Sequence, residues 1–355
     1  MSKVSKLYVA VLGATGIVGQ RFLSLLYKHP WFEITLITAS RSKAGKKYSE
    51  AVEWVISNDV PEELKDMRLQ ELSIEKIVAE KPDVVFVALP SSVAVDIEPV
   101  LAKKGLVIVS NASCFRREKD IPVIIPEINS EHLDIIDYQR QERGWEGFIV
   151  KVPNCTSAIL SLSLKPILDT YGISEVYAVS MQGLSGAGLH GVSSLEIIDN
   201  ILPYIPGEEE KLEYEPRKIL GMTRNGEIIE RNDIRIYARC TRVPVLEGHS
   251  ISVLVKTHNE PKSIDEIINI YEGFKGLSGL PTAPEKPVIV HRSNNRPQPR
   301  LDRMNGNGMS VSVGRISIYK GENKIKYFVV GSNTIRGAAG NAVLIAELLK
   351  QRKMI

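Results

Sequence analysis

Short apolar runs and helical patterns alternate through the first 150 residues. Residues 7–12 (LYVAVL), 32–39, 83–89 and 107–110 are nearly continuous apolar stretches of strand length. A helical pattern follows the first, at about 18–27, and another runs from the third to about residue 104. A further apolar strand covers 147–152. Strands without polar alternation are buried on both faces, so this order predicts a parallel sheet with helices on either side.

After residue 155 the periodicity changes. A long helical pattern ends near Tyr171-Gly172. Residue 174 to 182 reads as a strand, and 234–242, 249–256 and 309–318 read as longer alternating strands of a half-exposed sheet. Between them, 203–217 is charged and broken by prolines. From residue 334 the chain reads as a helix with a crowded, small-residue start. The predicted fold is α/β: a Rossmann-type parallel-sheet domain over 1–153, then a second α/β domain with a mixed, largely antiparallel sheet over 154–333. The C-terminal helix, 334–355, is expected to return to the first domain.

Composition narrows the class. The 355 residues are 43% hydrophobic with a net charge of +3. That supports two cores and gives no nucleic-acid footprint. No apolar stretch reaches the length of a membrane span. Residues 1–6 are polar and lead straight into a strand, unlike a signal peptide. Cys114, Cys155 and Cys240 are far apart, which suits a reducing compartment and offers neither a disulfide framework nor metal spacing. The expectation is a cytoplasmic protein without metal, nucleic-acid or membrane partners.

Gly13-Ala14-Thr15-Gly16-Ile17-Val18-Gly19 follows the first strand and opens the first helix. Glycines there permit a tight turn and close approach of a pyrophosphate, which rests on the helix N-terminus. Gly13, Thr15, Gly16, Ile17 and Val18 are therefore candidate cofactor contacts, a purely structural turn being the alternative. An acidic residue at the end of the second strand would mark NAD. This chain has Ser40, Arg41 and Ser42 there, a hydroxyl–arginine cluster suited to the 2′-phosphate of NADP, although a solvated basic turn reads the same way.

Cys155 sits in Val152-Pro153-Asn154-Cys155-Thr156, where a strand passes into a helix. Unpaired backbone N–H groups and the helix dipole favour a thiolate there. A thiolate beside a nicotinamide suggests attack on a carbonyl, hydride transfer and a thioester between the two half-reactions. Such chemistry needs an anion grip and a proton carrier. Arg242 ends one expected strand and His249 begins the next, with Pro244 and Gly248 in a connection that reads as a hairpin or tight turn. Arginine forks a carboxylate, and histidine transfers protons near neutrality.

Pro153-Asn154-Cys155, Gln182 with Ser185-Gly186-Ala187-Gly188, Arg242 through Gly248-His249, and Asn333-Thr334 with Arg336-Gly337-Ala338-Ala339-Gly340 occur in this order. Together they resemble aspartate-β-semialdehyde dehydrogenase of the archaeal and fungal branch. The resemblance covers nearly the whole chain. It implies NADP-dependent reductive dephosphorylation of L-4-aspartyl phosphate, or its reverse, toward lysine, threonine, methionine and isoleucine. By similarity Cys155 is the nucleophile and His249 the acid/base that helps make the thiolate. Gln182 positions the acyl group, Asn154 helps hold the centre, and Arg242 grips the substrate α-carboxylate. Arg116, in Asn111-Ala112-Ser113-Cys114-Phe115-Arg116, takes the phosphate. Glu215-x-x-Lys218 supplies a glutamate for the substrate amino group and a lysine for phosphate, on a helix that must begin at Pro216. Ser185, Gly186, Gly188, Asn333 and Thr334 complete the cofactor contacts. The second domain is implied to be catalytic and to build a homodimer or homotetramer. A malonyl-CoA reductase, an N-acetyl-glutamyl-phosphate reductase and a non-catalytic NADP sensor on the same scaffold remain alternatives.

Overall fold

The computed structural model describes residues 6–56 and 59–355; most of the polar leader at 1–6 lies outside the described residues. The first sheet has six parallel strands in the order β3-β2-β1-β4-β5-β6. These are β1 (Leu7–Leu12), β2 (Phe32–Ala39), β3 (Gln70–Glu71), β4 (Val84–Val87), β5 (Val107–Ser110) and β6 (Phe148–Lys151). Every residue of β4, β5 and β6 is buried, as the unbroken apolar runs require of a sheet covered on both faces. Helix α1 (Ile17–Leu26) follows β1, and α2 (Ser91–Lys103) follows β4. The strand order reverses between β1 and β4, and such a switch point opens a crevice at the carboxyl ends of the strands.

Helix α3 (Cys155–Tyr171) leads into the second sheet. Its strands are β7 (Glu175–Gln182), β10 (Arg235–Arg242), β11 (His249–Lys256), β12 (Val288–His291), β13 (Val311–Tyr319) and β14 (Lys324–Gly331). The order is β10-β7-β11-β14-β13-β12, and β8 (Met222–Arg224) with β9 (Glu227–Ile229) forms a separate hairpin. β7–β11, β11–β14 and β13–β14 are antiparallel, while β10–β7 and β12–β13 are parallel. Alternation along β7 puts Val176 and Ala178 in the core with Ile159 and Leu162 of α3. It leaves Tyr177 and Val179 exposed beside Tyr237, whose ring stacks on Tyr177 with centroids 4.9 Å apart.

Three local features depart from the sequence pattern. Strands β12 and β14 have no counterpart in it. The charged stretch around Pro203 contains a twelve-residue helix, α4 (Glu208–Ile219). Pro216 lies inside α4 rather than at its start. It falls in the last turn, where a missing N–H costs one hydrogen bond near a helix end that is already incomplete.

The chain end closes the structure. A wide π-type turn, Ile335–Ala339, precedes α5 (Gly340–Gln351). Val343, Leu344, Ile345 and Leu348 of α5 share a core with Val9, Val11, Phe22 and Val109. A fully buried Arg336–Glu127 pair at 2.6 Å and Asn341 Nδ2 donating to Ile124 O at 2.8 Å fasten this end to the first sheet. Among the described residues no helix is long and apolar enough to cross a membrane.

Candidate active site

The glycine loop leaves β1 at Gly13, whose φ of +84° suits only glycine; a Cβ there would stand 2.6 Å from Ala88 O of the neighbouring strand. Ala14 N is held by Thr38 O at 2.9 Å, and Thr15 O accepts from Gln20 Nε2 at 3.1 Å. The loop is thus fixed between β1, β2 and α1. Gly16 caps α1 without a side-chain partner for the first N–H groups, which leaves them facing outward as an anion cradle.

Cys155 is the first residue of α3. Asn154 caps that helix: its Oδ1 accepts from Thr156 N at 3.0 Å and Ser157 N at 3.3 Å. Cys155 Sγ lies 3.2 Å from His249 Nε2. The π-type turn brings Gly337 so close that a Cβ there would sit 2.5 Å from Cys155 Cβ, so only a bare backbone fits against the thiol. Wide turns of this kind recur at functional sites.

Arg242 and His249 do not form a hairpin. Both pair with Gln182 of the strand between them, and His249 also pairs with Gly331. The chain from β10 to β11 arches over the end of β7, with Val243 N bonded to Gln182 O at 3.0 Å. Arg242, Gln182 and His249 therefore form one row across three strands, with Arg242 Nη1 donating to Gly183 O at 2.9 Å. Gly183 N donates to His249 Nδ1 at 3.0 Å. In the neutral ring this leaves the proton on Nε2, facing the sulfur.

Electrostatics here run against the expectation from the helix dipole. Burial pushes the Cys155 thiol up to about 12, and the nearby Glu208 carboxylate adds to this. Burial pushes His249 down to about 4, with the Arg242 guanidinium beside it. The unliganded pair is thus thiol and neutral imidazole, because loss of hydration outweighs a dipole effect of about 1 kcal/mol.

Glu208, absent from the sequence-based set, is central. Its carboxylate accepts from Asn154 Nδ2 at 3.0 Å, Gln182 Nε2 at 3.2 Å and Lys211 Nζ at 2.9 Å. Burial alone would raise it, but Lys211 and these amide donors bring it below the ordinary carboxylate range. Glu208-x-x-Lys211 repeats the spacing of Glu215-x-x-Lys218 one heptad earlier, and that spacing was the available signal.

The Glu215 pair is placed differently. Glu215 is buried, accepting from Arg116 Nη1 at 2.8 Å and from Asn154 N at 2.5 Å. It orients Arg116 and the loop before Cys155, with one of these donors on each of its oxygens. Lys218 Nζ is closed in by the carbonyls of Arg116, Glu118 and Ile121. It buttresses the arginine loop instead of reaching the cavity.

A cavity of about 300 Å³ joins the rest. Asn154, Cys155, Asn111, Arg116 and Lys211 line one part of it, and Val18, Ser185, Gly186, Asn333 and Thr334 another. Asn111 Nδ2 and Arg116 Nε are buried without a protein partner, so two donors await an acceptor. Ile17, Gly188 and Ser185 line an adjoining cavity of about 660 Å³. Ser40, Arg41 and Ser42 stand apart on the exposed end of β2, where Arg41 pairs with Glu71 at 2.5 Å.

Two family models cover the chain: the semialdehyde dehydrogenase NAD binding domain matches residues 8–136, and the semialdehyde dehydrogenase dimerisation domain matches 164–336. An aspartate-semialdehyde dehydrogenase of Archaeoglobus fulgidus is 50% identical, over 98% of this chain and 99% of its own length. The chain belongs to the aspartate-semialdehyde dehydrogenase family. A crystal structure of aspartate semialdehyde dehydrogenase with NADP from Candida albicans superposes with a TM-score of 0.89 at 40% identity, covering 99% of this chain and 100% of that one. A malonyl CoA reductase (NADP) of Metallosphaera sedula is more distant, at 38% identity over 98% of both chains. Family membership fits the split seen here, a dinucleotide sheet followed by a sheet with one exposed face. Among the described residues no three or more His, Cys, Asp or Glu side chains cluster as metal ligands.

Proposed function

We propose that this protein is an NADP-dependent aspartate-semialdehyde dehydrogenase. It converts L-4-aspartyl phosphate to L-aspartate 4-semialdehyde and phosphate, and the reverse, on the route to lysine, threonine, methionine and isoleucine. The observation that carries this reading is the contact of 3.2 Å between Cys155 Sγ and His249 Nε2, at the edge of a cavity whose buried donors lack partners.

In the reductive direction Cys155 attacks the acyl carbon and the C–O bond to phosphate breaks. The thiol proton leaves with the phosphate, so a thiol and an acyl phosphate become a thioester and hydrogen phosphate. Arg116 and Asn111 hold the leaving group, with Lys211 in place of Lys218. Arg242 forks the α-carboxylate. Glu208 faces the substrate ammonium, a role given earlier to Glu215, and Gln182 and Asn154 steady the acyl oxygen. Bound NADPH supplies the hydride. The loop from Gly13 to Val18 fits its pyrophosphate, and Ser185, Gly186, Asn333 and Thr334 face the reacting end. Collapse of the tetrahedral centre expels the sulfur as thiolate, which receives the Nε2–H hydrogen bond of His249 until it takes a proton from solvent, the one the net reduction consumes.

Arg41 with Ser40 and Ser42 supports NADP over NAD, with Glu71 as the partner that the 2′-phosphate displaces. The exposed Tyr177–Tyr237 face supports a homodimer, and the whole reading a cytoplasmic enzyme. One assay tests it: NADPH formation from aspartate semialdehyde, phosphate and NADP⁺, beside NADPH oxidation with malonyl-CoA. Activity with the first pair and loss of about 10³-fold or more in Cys155→Ser is the expected result. Turnover of malonyl-CoA alone, or ordinary activity without the thiol, would overturn it.

A further inference from the structure

Arg21 and Glu247, which take no part in the chemistry above, form a polar bridge with Thr334 behind the reacting row. Arg21 lies one turn into α1, whose first turn follows the glycine loop, and it is buried. Its Nη2 donates to both carboxylate oxygens of Glu247, at 3.0 and 2.9 Å. Its Nε donates to Thr334 Oγ1 at 3.0 Å, and that hydroxyl donates to Glu247 in turn. Glu247 stands two residues before His249, in the arch that carries the chain from β10 over β7 to β11. Asn333 Oδ1 pins the same arch through Gly248 N at 2.8 Å.

Two guanidinium nitrogens are engaged, Nη2 across both Glu247 oxygens and Nε on Thr334, and together they fix the direction of the side chain as well as its reach. This charged contact joins the first helix of the nucleotide domain to the arch that ends at His249. A displacement of the first turn of α1, where a pyrophosphate would rest, is carried through Arg21 to Glu247. We propose that Arg21 is a positioning residue: with Glu247 and Thr334 it sets His249 against Cys155 and makes the reactivity of that thiol depend on occupancy of the dinucleotide site. Arg21 touches no reacting atom. Its leverage is the contact of 3.2 Å between ring and sulfur, and misplacement by about 1 Å at such a contact costs about 10²-fold. The proposal rests on the roles given to Cys155, His249 and the α1 N-terminus.

The test uses the full chain with Arg21→Met, Glu247→Met and the double variant. The double variant is needed because either single change leaves a charge unpaired and destabilises. Three quantities are read: the melting temperature, kcat against KM for NADP⁺, and the pH dependence of Cys155 alkylation by iodoacetamide with and without NADPH. Shielding by NADPH scales alkylation equally at every pH, whereas repositioning of His249 displaces the pH profile. NADPH should displace the profile of the wild type. In Arg21→Met kcat should fall about 10- to 100-fold, KM for NADP⁺ should stay within about threefold, and the displacement should vanish. The double variant should regain its melting temperature and neither kcat nor the displacement. If it regains kcat along with stability, or if NADPH leaves the wild-type profile unmoved, Arg21 holds the fold only and the proposal is wrong. Failure of the reaction scheme itself shows separately, as an active Cys155→Ser.

Discussion

The two ends of α4 carry the same four-residue arrangement and use it in opposite ways. Glu208-x-x-Lys211 and Glu215-x-x-Lys218 are seven residues apart, so both pairs lie on nearly one face of the helix. At the first turn the glutamate meets amides from Asn154 and Gln182, and the lysine reaches the cavity. At the last turn the glutamate holds Arg116, and the lysine is sealed by three backbone carbonyls. Spacing decides which way a pair faces. What faces it decides whether the pair meets a ligand or holds a loop.

Four measurements sharpen or break that contrast. Lys218→Met should be the most damaging to stability, by about 3 kcal/mol or more, because buried carbonyls lose their donor. Its folded fraction should keep KM values within about threefold of wild type, as seen by urea melts and steady-state kinetics. Lys211→Met should do the reverse: kcat/KM falls about 10²-fold, equivalent to about 2.7 kcal/mol, while the loss of stability stays well below that of Lys218→Met. An Lys218→Met enzyme with intact stability and a raised KM for phosphate would invert the assignment. Glu215→Gln should lower activity about tenfold through a loosened Arg116, with KM for phosphate rising more than kcat falls.

The last measurement is a pH dependence. Burial lowers Lys218 to about 8 in the folded protein, from an ordinary value of 10.5. Between those values the unfolded chain binds more protons, so stability from this group rises with pH, by about 1 kcal/mol per unit, and levels off above 10.5. The slope should be absent from Lys218→Met. A wild-type curve identical in slope to the variant's would mean that the site does not strip the ammonium of its hydration.

Much of this architecture was legible because it depends on local pattern. The apolar runs of β1, β4 and β5 could only be doubly covered strands, and the glycine loop declared itself by its place between strand and helix. Cys155, Arg242 and His249 were found as residues. That Arg242 and His249 meet at one end of the sheet was legible too; the row was not, because the partner that aligns them, Gln182, enters from a third strand that the hairpin reading left out. β14 escaped because Lys324, Ile325, Lys326 and Tyr327 alternate while Phe328, Val329 and Val330 run unbroken, so neither strand pattern held throughout. Glu208 and Lys211 fell in a stretch read only as charged and broken by prolines, and nothing in the local sequence announces Asn154 as their neighbour. The thiol's charge state was misjudged for a related reason: the dipole is a local property, whereas burial belongs to the whole fold.

The return of α5 to the first sheet has a consequence for how the protein is made. Its apolar residues complete the core of a domain whose first strand begins at Leu7, yet they are synthesised after every strand of the second sheet. Domains otherwise tend to fold in the order of their synthesis. Here the nucleotide-binding half must wait, its hydrophobic face incompletely covered, while the later domain is translated and can assemble around α3. The ribosome thus finishes the second domain before the first, and a nascent chain that stalls short of α5 holds an unsealed sheet.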